Sequence, residues 1–151
     1  MAKPPSQLER ALDFAMAEVA RVGGPENLPQ SVRTVLLVHA AQGAIDNGGL
    51  QYFFESDFPG KPPYSVFVDS YRAIGADAQA QALADAVMLF PFAEPHKFQR
   101  RRDTFLSRFL DDDGERPDSP FRPYTHALCG NVEVWRLLEQ YIKCHAQSFS
   151  L

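Results

Sequence analysis

Hydrophobic residues recur at intervals of three and four along most of the chain, a pattern that predicts amphipathic α-helices. The first predicted helix runs from about Gln7 to Val22. Ser6 and Glu9 have the spacing of an N-terminal capping box, in which each side chain satisfies a backbone N–H of the other's residue. Gly23-Gly24-Pro25 should end this helix, because glycine adopts the left-handed C-terminal conformation easily and proline cannot continue the helix.

A second helix is predicted to open near Asn27 or Leu28 and to continue to Ala44. Pro29 would lie in its first turn, where the missing N–H costs nothing. The run Val35–Val38 could also form a buried strand. The helical spacing continues in step to Ala44, which favours a helix.

The segment that follows should break this helix and begin new ones. Asp46-Asn47-Gly48-Gly49 predicts the break, and a short helix follows over Leu50–Phe54. The remaining predicted helices are Tyr64–Ile74 with Gly75 as its stop, an Ala-rich helix to Phe90 with Asp77 as its cap, one from Pro95 to Leu110, and one from Asn131 through Ile142 with Asn131 as its cap. Loops are predicted over Asp57–Pro63 and Asp111–Pro123. The sequence therefore predicts an all-α bundle of six or seven helices, in one domain spanning residues 1–151.

Composition agrees with an ordinary globular domain: the chain has 151 residues, of which 45% are hydrophobic and 23% charged. No apolar run approaches the length of a membrane span, and the N-terminal residues lack an apolar signal segment. We therefore expect a cytoplasmic protein without membrane contacts. Two cysteines, Cys129 and Cys144, are too few for a disulfide framework or a CxxC zinc knuckle.

The formal net charge of −4 excludes a strongly basic nucleic-acid binder and disfavours direct binding to DNA or RNA. The one basic cluster is Lys97–Arg102. Its three successive arginines spread over about 200° of a helix, so the cluster predicts a solvated face or pairing with the acidic loop. Binding of phosphate or nucleic acid through this cluster is the alternative. The densest acidic stretch is the candidate surface for a basic partner, although a solvated loop is the alternative; its acids are Asp111, Asp112, Asp113, Glu115 and Asp118.

No pattern predicts a metal, a cofactor or a catalytic site. The acidic stretch Asp111–Glu115 does not fit the calcium-binding loop of an EF-hand. If Asp113-Gly114 is aligned with the Asp-Gly pair of that loop, the first ligand position falls on Phe109. His126, Cys129, Cys144 and His145 match no zinc spacing, and no known catalytic motif is present. We therefore expect a chain that is not an enzyme. The alternative is a small-molecule- or metal-binding domain, with or without enzymatic activity, that uses a cleft near Asp46–Tyr52 and His39.

The stretch Asp46-Asn47-Gly48-Gly49-Leu50-Gln51-Tyr52-Phe53-Phe54 resembles the signature of a bacterial family whose best-described member is a DNA-mimic protein. That signature is Asn-Gly-Gly-aromatic-x-Gln-aromatic-Phe, followed by an Ile-Gly-Ala phrase and an Ala-rich helix, here Ala73–Ala76 and Ala78–Phe90. The resemblance spans residues 32–110, with Leu50 in place of the aromatic residue and Ala44 where a glutamate is expected. It implies an all-helical fold, a homodimer, and an acidic surface that binds a DNA-binding transcriptional regulator in place of DNA.

Such mimicry requires the 19 acidic and 15 basic residues to lie on separate faces, because DNA presents an unbroken array of negative charge. The motif itself has two interpretations. In the structural one, the glycines make a corner, Asp46 or Asn47 caps the short helix, and Gln51 ties the loop through its amide. In the other, Asn47, Gln51 and Tyr52 face a partner or ligand. The motif residues open to either role are Asp46, Asn47, Gly48, Gly49, Gln51, Tyr52 and Phe53.

Overall fold

A computed structural model describes residues 2–151 and confirms the all-α prediction. The α-helices of these residues are α1 (Gln7–Val22), α2 (Gln30–Glu55), α3 (Tyr64–Ala73), α4 (Asp77–Val87), α5 (Gln99–Ser107), α6 (Arg122–Leu128) and α7 (Val132–Cys144). A two-stranded antiparallel hairpin joins β1 (Leu110–Asp111) to β2 (Gly114–Glu115). Short 3₁₀ turns cover Pro25–Asn27, Pro95–Lys97 and Ala146–Phe149. Among the described residues, no helix combines the length and apolar character needed to cross a bilayer.

Helix α1 has the predicted bounds and both predicted ends. The Ser6 hydroxyl accepts from the Glu9 N–H at 3.2 Å, and the Glu9 carboxylate accepts from the Ser6 N–H at 2.5 Å. These two bonds form the capping box. Gly23 closes the helix with a φ of +88°, and its N–H donates to the Val19 carbonyl at 3.1 Å.

Helix α2 begins later than the sequence predicts and bends where the sequence predicts a break. Pro25–Asn27 form a 3₁₀ turn instead, so the helix starts at Gln30 with Pro29 as its N-cap. The backbone leaves helical geometry at Gly48 (φ −152°, ψ 20°) and Gly49 (φ 71°, ψ −172°). The short helix predicted after the glycines is therefore the second segment of a kinked α2 that ends at Glu55.

Helix α2 is the centre of the bundle and packs against α1, α3, α5, α6 and α7. Its first segment buries Val35, Val38 and Ile45. Its second segment buries Phe53 and Phe54, whose rings meet those of neighbouring elements edge to face or tilted. The kink thus turns two large aromatic residues into the core, and bulky rings contribute strongly to its stability.

Helices α3 and α4 are joined at Gly75, which has the φ of +89° expected for a helix stop. The prediction that Asp77 caps α4 is wrong. Asp77 is the first residue inside the helix, and the cap position belongs to Ala76, which has no side chain that could accept a hydrogen bond. An acidic residue in the first turn still interacts favourably with the helix dipole.

The second half of the chain departs most from the sequence prediction. The helix expected from Pro95 to Leu110 is a 3₁₀ turn followed by α5. The loop expected over Asp111–Pro123 opens with the hairpin, and helix α6 was not predicted at all. Helix α7 begins as predicted, since the Asn131 side chain accepts from the Glu133 N–H at 3.0 Å.

Candidate functional site

The bend at Gly48 and Gly49, called here the glycine corner, is held by the side chain of Asp46. Asp46 Oδ1 accepts from the Gly130 N–H and from Gln42 Nε2, each at 2.8 Å. Asp46 Oδ2 accepts from Trp135 Nε1 at 2.9 Å. The expectation that Asp46 caps the short helix is therefore wrong, because its oxygens accept from Gly130 before α7, from Trp135 on α7 and from Gln42 one turn earlier on α2.

Gln42 extends these hydrogen bonds into the core. It is fully buried, its Nε2 also donates to the Leu128 carbonyl at 2.8 Å, and its Oε1 accepts from the Tyr71 hydroxyl at 2.8 Å. Burial raises the pKa of Tyr71, which keeps the hydroxyl protonated and available as the donor. A buried polar network with its partners in place rigidifies its surroundings. The network therefore fixes the corner against α3, α6 and α7.

Both glycines of the corner are required by their surroundings. A Cβ at Gly48 would lie 2.6 Å from Tyr52 Cβ, a distance that real side chains essentially never show. A Cβ at Gly49 would lie 3.2 Å from Thr125 Cγ2, and its φ of +71° belongs to the region that glycine occupies most easily. This supports the structural interpretation of the two glycines.

The other motif residues separate into buried and exposed groups. Phe53 is fully buried, whereas Asn47 is exposed and Tyr52 is 49% exposed despite its aromatic ring. The Gln51 amide donates to Glu55 Oε1 at 2.8 Å. This hydrogen bond lies within α2 and does not connect the helix to a loop. The expected role of Gln51 as a loop tie is therefore wrong, and Asn47 and Tyr52 are the motif side chains most accessible to a partner.

A cleft of about 370 Å³ opens beside the corner. Its lining residues are Asp46, Asn47, Gly48, Gly49, Glu115, Arg122, Thr125, His126 and Cys129. Two oxygens from this lining, Glu115 Oε1 and Thr125 Oγ1, are buried without a hydrogen-bond partner among the described residues. Arg122 is oriented by a 3.3 Å hydrogen bond from its guanidinium to the Glu115 carbonyl. The cleft thus joins the motif to β2 and α6.

His39 does not line this cleft. Its ring packs edge to face on Trp135 with centroids 5.7 Å apart, and burial lowers its pKa. The histidine that does line the cleft is His126, which is exposed. Within residues 2–151, no group of three or more His, Cys, Asp or Glu side chains is arranged to hold a metal ion.

The hairpin Leu110–Glu115, called here the acidic hairpin, carries four of the five candidate acidic residues. Asp112 and Asp113 occupy its exposed turn, and their carboxylates form no salt bridge or hydrogen bond within the described chain. Asp111 Oδ1 accepts from the Asp113 N–H at 2.8 Å and so shapes the turn. Glu115 faces the cleft. Within the acidic hairpin, Asp112 and Asp113 are therefore the exposed carboxylates without a bonded partner.

Asp118, the fifth candidate acid, lies outside the hairpin and is paired. Arg116 Nε donates to Asp118 Oδ1 at 3.0 Å, and this hydrogen bond lowers the pKa of the Asp118 carboxyl. Both side chains are exposed to solvent. Asp118 remains ionised, but its neighbour offsets its charge toward a partner.

Arg102 is a structural residue that the sequence prediction missed. Only 1% exposed, it donates to the carbonyls of Phe54 at 2.8 Å and Pro95 at 2.9 Å, and to Asp57 Oδ1 at 2.9 Å. A further bond reaches the carbonyl of His96 at 3.0 Å. The expected solvated basic face is therefore wrong for this arginine, which fastens the end of α2 to the start of α5. Arg102 precedes the buried Leu106 by four residues, and that helical spacing was the available signal.

Comparison with known proteins gives one match. The family model described as DMP19-like protein matches residues 26–145, a region that contains the glycine corner, the acidic hairpin and all of α7. Searches of curated proteins and of solved structures found no similar chain. The match covers most of the sequence, and the chain therefore belongs to the DMP19-like protein family.

Proposed function

We propose that this protein is a non-catalytic binding domain that engages a DNA-binding transcriptional regulator through an acidic surface. The surface consists of the acidic hairpin together with Asn47 and Tyr52 at the glycine corner. The observation that carries the proposal is the pair of unpaired, exposed carboxylates at Asp112 and Asp113 in a member of the DMP19-like family. The sequence resemblance to DNA-mimic proteins points to the same role.

Position supports treating the hairpin and the corner as one surface. Glu115 of the hairpin lines the same cleft as Gly48 and Gly49. Glu115 also lies beside Gln51 in a smaller depression. Tyr52, which directly follows Gln51, adds an exposed aromatic side chain, and aromatic residues are enriched at protein interfaces. A partner that contacts the hairpin would therefore reach the motif as well.

Electrostatics explains how such a surface could take the place of DNA. A DNA-binding protein contacts phosphates with Lys and Arg side chains, and these contacts dominate its affinity. Carboxylates at Asp112 and Asp113 can accept the same charge-assisted hydrogen bonds. Both carboxylates are exposed and form no salt bridge within the described chain. A partner could therefore bind them without first breaking an ion pair of this chain.

The test uses the immobilised chain and an extract of its native host, with and without competing duplex DNA. The critical variant carries Asp112→Asn and Asp113→Asn, which remove two charges with almost no change in shape. The matched control carries Asp13→Asn and Asp69→Asn, at exposed positions on α1 and α3. We expect the wild type and the control to retain a DNA-binding protein that the critical variant loses and that duplex DNA releases.

Two results would count against the proposal. One is equal retention of the DNA-binding protein by the hairpin variant and by the control variant. The other is capture of proteins that duplex DNA does not release, since a mimic and its model must compete for the same site. A circular dichroism spectrum of each variant checks that the helical fold is kept.

A second candidate function is favoured by the corner cleft. Its two unpartnered oxygens, on Glu115 and Thr125, would gain from a ligand that donates hydrogen bonds. In this alternative the domain binds a small polar molecule there. A thermal-shift screen of amines and amides separates the two candidates, because a ligand of the cleft should raise the melting temperature of the wild type and have less effect on Thr125→Val.

A further inference from the structure

Helix α5 carries a second groove that the acidic surface does not use. It encloses about 320 Å³ and is lined by Arg100, Arg101, Thr104, Arg108, Phe92 and Phe105, together with Pro91. Three guanidinium groups thus share one opening with two aromatic rings. Its lining therefore carries three positive charges and no Asp or Glu side chain, in a protein of net charge −4.

Aromatic rings hold two of these arginines in place. The Arg101 guanidinium lies 4.4 Å from the centroid of Phe92 and 5.4 Å from that of Phe98. The Arg108 guanidinium lies 5.9 Å from the centroid of Phe105. Such cation–π contacts orient a guanidinium and leave its N–H edge available for hydrogen bonding. The two arginines are therefore partly preorganised for a ligand.

The charge of the groove is not compensated within the described residues. Arg100, Arg101 and Arg108 form no salt bridge there, whereas neighbouring Arg102 is paired with Asp57. Arg100 and Arg101 also lie in the first turn of α5, where the helix dipole disfavours positive charge. The N-cap residue, Phe98, supplies no side-chain acceptor. An anion in the groove would relieve both sources of repulsion.

We propose that this groove binds a nucleoside monophosphate. A phosphate monoester carries a charge of about −1.5 to −2 near neutral pH and has three acceptor oxygens, which suits Arg100 and Arg108 better than a single carboxylate does. A planar base can pack against the exposed guanidinium of Arg101, which Phe92 and Phe98 flank at 4.4 and 5.4 Å. The volume of the groove lies at the lower end of the range for small-molecule clefts.

The experiment is isothermal titration calorimetry of the full chain with AMP, in low salt and again in 150 mM salt. The critical variants are Arg101→Ala and Arg108→Ala. The matched control is Arg10→Ala, which removes one exposed arginine on α1. We expect each critical variant to weaken AMP binding by roughly tenfold or more, since each loses a charge-assisted contact. The control should bind as the wild type does, and Arg101→Lys should bind more weakly than the wild type although its charge is kept.

Adenosine, inorganic phosphate and a single-stranded oligonucleotide serve as comparison ligands. Tighter binding of AMP than of adenosine or phosphate supports the proposal. It is overturned if AMP does not bind, if phosphate or adenosine binds as tightly as AMP, or if Arg10→Ala weakens binding as much as Arg101→Ala. Binding of the oligonucleotide without binding of AMP also overturns it, because a nucleic-acid strand would then be the ligand.

Discussion

The substitution Gly49→Ala probes the glycine corner most directly. Gly49 has φ 71° and ψ −172°, a region that is essentially restricted to glycine and costs other residues on the order of 1–3 kcal/mol. The added Cβ would also lie 3.2 Å from Thr125 Cγ2, so α6 or the corner would have to move slightly. Together we expect a loss of about 3 kcal/mol in the free energy of unfolding, or roughly 6–12 °C in melting temperature.

The matched control is Gly43→Ala in the regular first segment of α2. A Cβ there meets nothing within 4 Å, so alanine should stabilise the helix by about 0.5–1 kcal/mol. Urea and thermal denaturation followed by circular dichroism measure both variants. If Gly49→Ala is as stable as Gly43→Ala, the reasoning about the corner is refuted. If Gly49→Ala combined with Thr125→Ser regains full stability, the steric contact and not the backbone conformation is the cause.

Four further substitutions test contacts made by α2 and by the residues that follow it. Arg102→Met should lower the free energy of unfolding by about 3–5 kcal/mol, because four acceptors lose their donor. Asp57→Asn, at a partly exposed carboxylate, should lower it by under about 1 kcal/mol. Equal losses in urea denaturation would contradict the view that the bonds from Arg102 to the backbone carbonyls contribute most. Asp46→Ala should cost about 1–3 kcal/mol and shift the emission of Trp135, the single tryptophan, so unchanged emission would argue against the indole bond. Burial lowers the pKa of His39 in the folded chain below the ordinary 6.5. As the pH drops below about 6.5, the unfolded chain therefore binds a proton that the folded chain does not, and the free energy of unfolding should fall until the pH reaches the lowered pKa. The melting temperature of His39→Gln should fall less steeply with acidification, and an unchanged slope would contradict this.

Elements whose boundaries are set by neighbouring residues were predictable from the sequence. The capping box of α1 needs only Ser6 and Glu9, and the cap of α7 needs only Asn131. The glycine pair likewise predicts the bend in α2, because the non-helical backbone angles at the bend favour glycine at those two positions. Even so, the distinction between a break and a kink depends on packing of the second segment into the core, which no local pattern describes.

The contacts of the candidate site depend on partners distant in sequence. Asp46 would be a plausible cap for the following helix in isolation, but Gly130 and Trp135 occupy its oxygens. Arg102 belongs to a polar run, and only the proximity of the end of α2 and of Asp57 makes its burial favourable. These tertiary interactions override local preference, and a single sequence does not reveal them.

The positions of the charged residues relative to one another could not be predicted from their totals either. The total of 15 basic and 19 acidic residues suggested a poor DNA mimic unless the two kinds were sorted in space. In the structure, Asp112 and Asp113 project from the acidic hairpin without basic partners. Arg100, Arg101 and Arg108 line a groove without acidic ones. Unpaired acids and unpaired arginines thus lie on different elements, an arrangement that the near-balanced totals do not reveal.

The most direct measurement of the proposed role is competition between the chain and duplex DNA for the regulator captured from the host. Fluorescence anisotropy of labelled operator DNA bound to that regulator would follow the titration. The proposal predicts that the chain displaces the DNA in a salt-dependent manner, and that Asp112→Asn combined with Asp113→Asn displaces it far less well than the wild type does. A ternary complex in which the regulator holds the DNA and the chain at once would contradict it.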